Sequence, residues 1–122
     1  MTPLIRVVSW APDASEKAKP LAKGGFRIDA SPLSTTGLVG KMRDAAPALI
    51  LIDIDRMPSH GRAVALVLRG SKSTREIPLV FAGGTEEKAA RLRSEMPEAL
   101  CTSWKTAAKT ANRRSREARS SP

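Results

Sequence analysis

The residues of this 122-residue chain that could do chemistry fall at the ends of short apolar runs. Asp53 closes Ala48-Leu-Ile-Leu-Ile-Asp53, which follows Pro47. A carboxylate ending a buried strand points into a crevice, where it can accept a phosphoryl group or hold a divalent cation. Nucleophilic use requires a metal and a cation to offset the incoming charge. Strand-end Asp residues also serve as helix caps and turn formers, so the position alone does not decide. Gly83-Gly84-Thr85 ends a second run, Ile77 to Ala82, and leads into a helical pattern. Backbone N–H groups in such a turn can cradle an anion, although a plain strand-to-helix turn reads the same way. His60 has no second His and no Cys at ligand spacing, which argues against zinc and leaves it a first-turn surface residue. As the only histidine it also removes any Ser/His/Asp or Cys/His pair, and Cys101 has no visible activator.

These residues need a scaffold that brings strand ends together. Ala48 to Asp53 and Ile77 to Ala82 read as buried parallel strands, being short, continuous, apolar and bounded by Pro. Leu4 to Ser9 reads as a first strand, Gly25 to Asp29 as a weaker second, and Ala99 to Trp104 as a poor fifth. Helical patterns lie between them. Thr36 to Ala46 carries Leu38, Val39 and Met42 on one face and stops at Pro47. Ser59 to Leu68 carries Val64, Val67 and Leu68 and ends at Gly70. Thr85 caps a helix to Met96, with Glu86 and Glu87 at the positive end of its dipole. A last helix runs from about Ser103 toward Arg116 on a thin stripe of Ala107, Ala108 and Ala111. Pro20 interrupts the first connection, so the helix there is short, kinked or late. Alternating strands and helices predict an α/β chain: a flavodoxin-like (βα)5 three-layer sandwich around a five-stranded parallel sheet, order 2-1-3-4-5. Its site lies beyond the carboxyl ends of the strands. That edge carries Ser9 and Trp10, then Asp53, Asp55 and His60, then Gly83, Gly84 and Thr85, and finally Trp104 and Lys105.

Composition narrows the function. No apolar run exceeds the six residues Ala63 to Leu68, which excludes a membrane span and an ordinary signal-peptide core. The single cysteine cannot form an internal bridge and points to a reducing, cytoplasmic location. The formal net charge is +9, and the end from Lys105 onward concentrates it, with six basic residues against Glu117. The expected division is one domain over 1–112 and a basic, disordered tail over 113–122. Lys109, Arg113, Arg114, Arg116 and Arg119 are the candidate contacts for non-specific nucleic acid binding. A solvated, fraying last helix is the plainer alternative. The four aromatics are scattered, so no stacking platform for single strands is visible.

The middle of the chain resembles the receiver domain of two-component response regulators. Pro47-Ala-Leu-Ile-Leu-Ile-Asp53 resembles that family's third strand with its phosphoacceptor Asp, and Met57-Pro58 and Gly61 resemble the loop that follows. Arg69 closes the third helix at the family's spacing, and Ile77-Pro78-Leu-Val-Phe81 resembles the fourth strand in register. The resemblance runs from about Leu4 to Ala111 and is specific from Pro47 to Ala82. It implies the (βα)5 fold, a phosphoacceptor at Asp53, and a phosphate site at Asp53, Gly83, Gly84, Thr85 and Lys105. Departures fall on the catalytic positions. The acidic pair that holds magnesium is replaced by Val8-Ser9-Trp10, and the family's Thr or Ser after the fourth strand falls on Gly83. Met57-Pro58 comes one residue late, with Asp55 in the shifted loop. The family's Lys falls on Lys105 by ungapped counting, but Thr106 follows where Pro is expected, so Trp104 is the other candidate for that place. Tyr is absent, which removes the family's aromatic switch.

Without the acidic pair, magnesium would rest on Asp53, Asp55, a carbonyl and waters, and such a site holds only if phosphate supplies the rest. The leading expectation is a degenerate pseudo-receiver, not an enzyme and without cofactor. It would signal through protein contacts on the face of the fourth helix, fifth strand and fifth helix. The alternatives are a receiver that still accepts phosphate on Asp53, with magnesium, and a basic accessory protein that binds nucleic acid through its tail. Whether Asp13 or Asp55 approaches Asp53 closely enough to share a cation discriminates the first two.

Overall fold

The computed structural model describes residues 3–10, 13–30, 46–55, 58–97 and 100–120. The helix expected over Thr36 to Ala46, Pro12, and Met57 of the loop lie outside the described residues, apart from Ala46 itself. Five parallel strands form one sheet in the order β2-β1-β3-β4-β5, as predicted: β1 Leu4–Val8, β2 Arg27–Asp29, β3 Leu49–Asp53, β4 Leu79–Ala82 and β5 Leu100–Thr102. Val8 of β1 pairs with Ile52 of β3, and Asp53 with Ala82 of β4. This register brings the ends of the three central strands to one edge. β3 is buried at every residue because both faces of the sheet are covered. Ile50, Ile52 and Ile54 enter one core with Val64, Leu68, Phe81 and Leu92, whereas Leu49 and Leu51 enter the other with Leu21, Ala107 and Ala111.

Pro20 has the effect expected of it. The first connection breaks at Ala18 into α1, Ala14–Lys17, and α2, Lys19–Lys23, with Pro20 in the first turn of α2 where no donor is lost. Buried Ala14, Ala18 and Leu21 seat this pair on the sheet. α3 spans Pro58–Gly70. Its buried stripe is Gly61, Val64, Ala65 and Leu68, the i, i+3, i+4, i+7 set, and Val67, assigned to that stripe from sequence, is 56% exposed. The reason is rotational: with Ala65 and Leu68 inward, position 67 falls outside the arc. α4, Glu86–Glu95, is capped as read, Thr85 Oγ1 accepting from Lys88 N at 3.2 Å. A 3-10 turn, Trp104–Thr106, precedes α5, Ala107–Ser120. The alanine stripe of α5 faces the core, and its backbone stays helical to Ser120, through most of the segment read as a tail, consistent with its run of Ala, Arg and Glu.

Arg6 is the one charged residue inside β1, 6% exposed. Its guanidinium donates to the Asp29 carboxylate at 2.9 Å and the Asp29 carbonyl at 3.0 Å, which satisfies the charge at the sheet margin.

Candidate functional site

Asp53 ends β3 with only 3% of its side chain exposed, and both carboxylate oxygens are engaged. Oδ1 accepts the backbone N–H of Asp55 at 2.9 Å. Oδ2 accepts the hydroxyl of Ser9 at 2.7 Å and the ammonium of Lys17 at 3.2 Å. Ser9 follows β1, so the sheet register sets its reach to Asp53. Lys17 comes from α1, whose short break before Pro20 leaves its last residue over the strand ends.

Asp55 completes the cluster. Ile54, fully buried, anchors the loop and directs the next side chain back across the edge. One carboxylate oxygen of Asp55 accepts the N–H of Gly84 at 2.6 Å. The other accepts Lys17 Nζ at 2.7 Å and the indole N–H of Trp104 at 3.0 Å. Lys88 of α4 donates to the Asp55 carbonyl at 2.8 Å. The ammonium of Lys17 also lies 5.8 Å from the centre of the Trp104 ring, within cation–π range. Burial acts to raise the Asp55 pKa, but the hydrogen bonds from Lys17, Gly84 and Trp104 outweigh it and hold the carboxyl below its ordinary value. For Lys17, burial acts downward and is outweighed by the Asp55 hydrogen bond and the Asp53 charge, so its pKa is raised. The pair is therefore charged at neutral pH, one cation serving two carboxylates.

The glycines make room for this arrangement. Gly83 and Gly84 have φ of +84° and +74°, the left-handed region in which a side chain is strained. A Cβ on Gly83 would also overlap the Asp55 carboxylate, 2.6 Å from its carbon. Gly83 and Asp55 thus presuppose each other.

The remaining expected residues separate into those that converge and those that do not. Asp53, Asp55, Gly83 and Gly84 converge. Thr85 is the exposed cap of α4, and Lys105 is exposed in the 3-10 turn, so Trp104 and not Lys105 faces the cluster. The cation that sequence counting placed on Lys105 is supplied by Lys17, which no motif marks. His60 is exposed on α3 with its ring edge-on to Trp10, centroids 5.5 Å apart. The two tryptophans therefore take different partners. Asp13 is exposed at the N-terminal cap of α1 with no side-chain capping bond. It is Asp55 that shares a cation with Asp53, and that cation is an ammonium. Lys109 and Arg113 are exposed on α5 and Arg114 is half-buried; the side chains of Arg116 and Arg119 lie outside the described residues.

For a magnesium ion the site offers the two carboxylates of Asp53 and Asp55, and both already accept from Lys17. Among the described residues no three His, Cys, Asp or Glu side chains converge, and the oxygens of Asp53 face a hydroxyl, an ammonium and an N–H. No helix among them is long and apolar enough to cross a membrane.

No family model matches the sequence, and no curated protein does. Solved structures do. A sensor protein from Polaromonas sp. JS666 superposes with a TM-score of 0.74 at 17% identity, over 95% of this chain and 98% of that one. The signal receiver domain of a signal transduction histidine kinase from Syntrophus aciditrophicus gives 0.72 at 19%, over 99% and 96%. The N-terminal domain of a response regulator receiver protein from Methanoculleus marisnigri JR1 gives 0.61 at 21%, over 93% of each. With the strand order and the Asp at the end of β3, these likenesses establish that the chain has the CheY-like fold of response regulator receiver domains.

Proposed function

We propose that this chain is a pseudo-receiver: a cytoplasmic signalling module that keeps the receiver fold, is not an enzyme, and acts by protein contact without phosphoryl transfer or magnesium. The observation that carries this reading is the closure around Asp53. An attacking carboxylate oxygen needs an open line of approach for the incoming phosphorus, and the transferred group needs more positive charge around it than one ammonium already shared by two carboxylates supplies; the Asp53 side chain is only 3% exposed. Here Oδ2 is held by Ser9 and Lys17, Oδ1 by the loop backbone, and the Asp55 carboxylate stands beside them as a like charge. The names of the structural neighbours, which include a signal receiver domain and a response regulator receiver protein, support a role in two-component signalling. A signalling partner is expected on the face formed by α4, β5 and α5, the surface receivers use by resemblance.

The test is the intact mass of the purified chain after incubation with acetyl phosphate and magnesium, beside Asp53→Asn. The expected result is no phosphate-sized gain in either protein. A gain in the wild type that the variant lacks restores Asp53 as a phosphoacceptor and overturns the reading.

A second reading rests on the exposed cations Lys109 and Arg113, four residues apart along α5, with Lys105 exposed in the 3-10 turn before it. Such a row suits a polyanion, and non-specific nucleic acid binding through it falls steeply with added salt. Binding that persists in high salt removes this alternative.

A further inference from the structure

We propose that Asp55 is a built-in anion: its carboxylate occupies an oxyanion site formed by the Gly84 N–H, the Lys17 ammonium and the Trp104 indole N–H. The site's intrinsic ligand class is a tetrahedral oxyanion such as phosphate, kept out by the tethered carboxylate. This deepens the pseudo-receiver reading and rests on it.

Three donors from three separate elements meet at one acidic side chain, at 2.6, 2.7 and 3.0 Å. The three donors, an N–H in a left-handed glycine turn, an ammonium and an indole N–H, all suit an oxyanion. Each donor is held in place independently of Asp55. Gly84 is fixed by the φ of the turn before α4, and Trp104 by a 3-10 turn capped through Ser103. Lys17 is also held by its second carboxylate, Asp53. The acid that fills the site is attached through buried Ile54, so it competes as an intramolecular ligand at high effective concentration. Space for it exists because Gly83 lacks a Cβ.

The consequence is regulatory. The turn before α4 is in its anion-occupied arrangement in the unmodified chain, and Lys88 ties α4 to the same loop through the Asp55 carbonyl. An input that alters this module acts by displacing the Asp55 side chain, not by adding charge at Asp53.

Inorganic phosphate is the probe, titrated into the full ¹⁵N-labelled chain, with the Gly84 amide and Trp104 indole resonances observed. Using Asp53→Asn and Asp53→Asn/Asp55→Ala removes any acyl phosphate chemistry, so the outcome is independent of the mass experiment above. The double variant is expected to bind phosphate saturably, about ten-fold or more tightly than Asp53→Asn, with both resonances moving together and the response lost on adding Lys17→Met. Equal affinities, shifts that spare Gly84 and Trp104, or no saturable response from a double variant with a well-dispersed spectrum would each overturn the proposal. Should the double variant not fold, Asp55→Asn in the wild-type background keeps the side-chain shape. The Gly84 amide proton should then move upfield, and an unmoved resonance overturns the proposal as well.

Discussion

The end of β3 and the loop just beyond it each hold one carboxylate, and the two are stabilised by different parts of the fold. Asp53 is almost wholly buried, and two of its three partners, Ser9 and the Asp55 N–H, come from the ends of neighbouring backbone segments that the sheet already aligns. Asp55 is 31% exposed, and its partners come from α1, the turn before α4 and the 3-10 turn before α5. The sheet sets where the Asp53 carboxylate stands, whereas the connections between strands decide which cation answers it. In this chain that cation is Lys17, at the end of the short helix α1, which touches both regions and couples them.

That coupling can be broken in order of expected effect. Gly83→Ala adds a strained φ and displaces the Asp55 carboxylate, so a loss of about 3 kcal/mol is expected in urea unfolding. In an Asp55→Gly background only the strain remains, and the cost should fall to about 1–2 kcal/mol. An equal cost in both backgrounds would separate the two positions again. Lys17→Met leaves two carboxylates uncompensated and should cost about 2 kcal/mol at neutral pH, discounted for partial exposure. That cost should shrink as acid protonates the Asp55 carboxylate; a constant cost across pH would show that Lys17 contributes by packing alone. Asp55→Asn, which keeps shape but removes charge, is expected to cost about 1 kcal/mol. Because the folded Asp55 pKa lies below the ordinary value of 3.8, its contribution is complete above that value and is lost as pH falls through the folded one. The variant's acid unfolding curve should therefore be flatter there than the wild type's. Val67→Lys on the outer face of α3 serves as the null, within about 0.5 kcal/mol in the same assay.

The sheet and the position of Asp53 were legible because they rest on local signals: continuous apolar runs, Pro at their borders, and a carboxylate where one run ends. Gly83 and Gly84 were legible as a turn for the same reason. Lys17 was not, since it lies 36 and 38 residues from the carboxylates it bridges and reaches them only because Ala14, Ala18 and Leu21 seat a broken helix on the sheet. Nothing in its neighbourhood distinguishes it from Lys19 or Lys23. Asp55 stood in the sequence as a displaced acid in a shifted loop, and Gly83 as a missing hydroxyl. Each looked like a defect on its own, and their steric dependence appears only in three dimensions. Val67 was misassigned because one helical turn of apolar residues fits two faces until the burial of Ala65 and Leu68 selects one.

The steric exclusion between a side chain at position 83 and the carboxylate at position 55 also constrains the paths along which this sequence can change. Placing a hydroxyl residue at 83 while Asp55 is present drives it into that carboxylate, and removing Asp55 first strips Lys17, Gly84 and Trp104 of their shared acceptor. Either single change leads to a less stable protein, so each of the two residues holds the other in place.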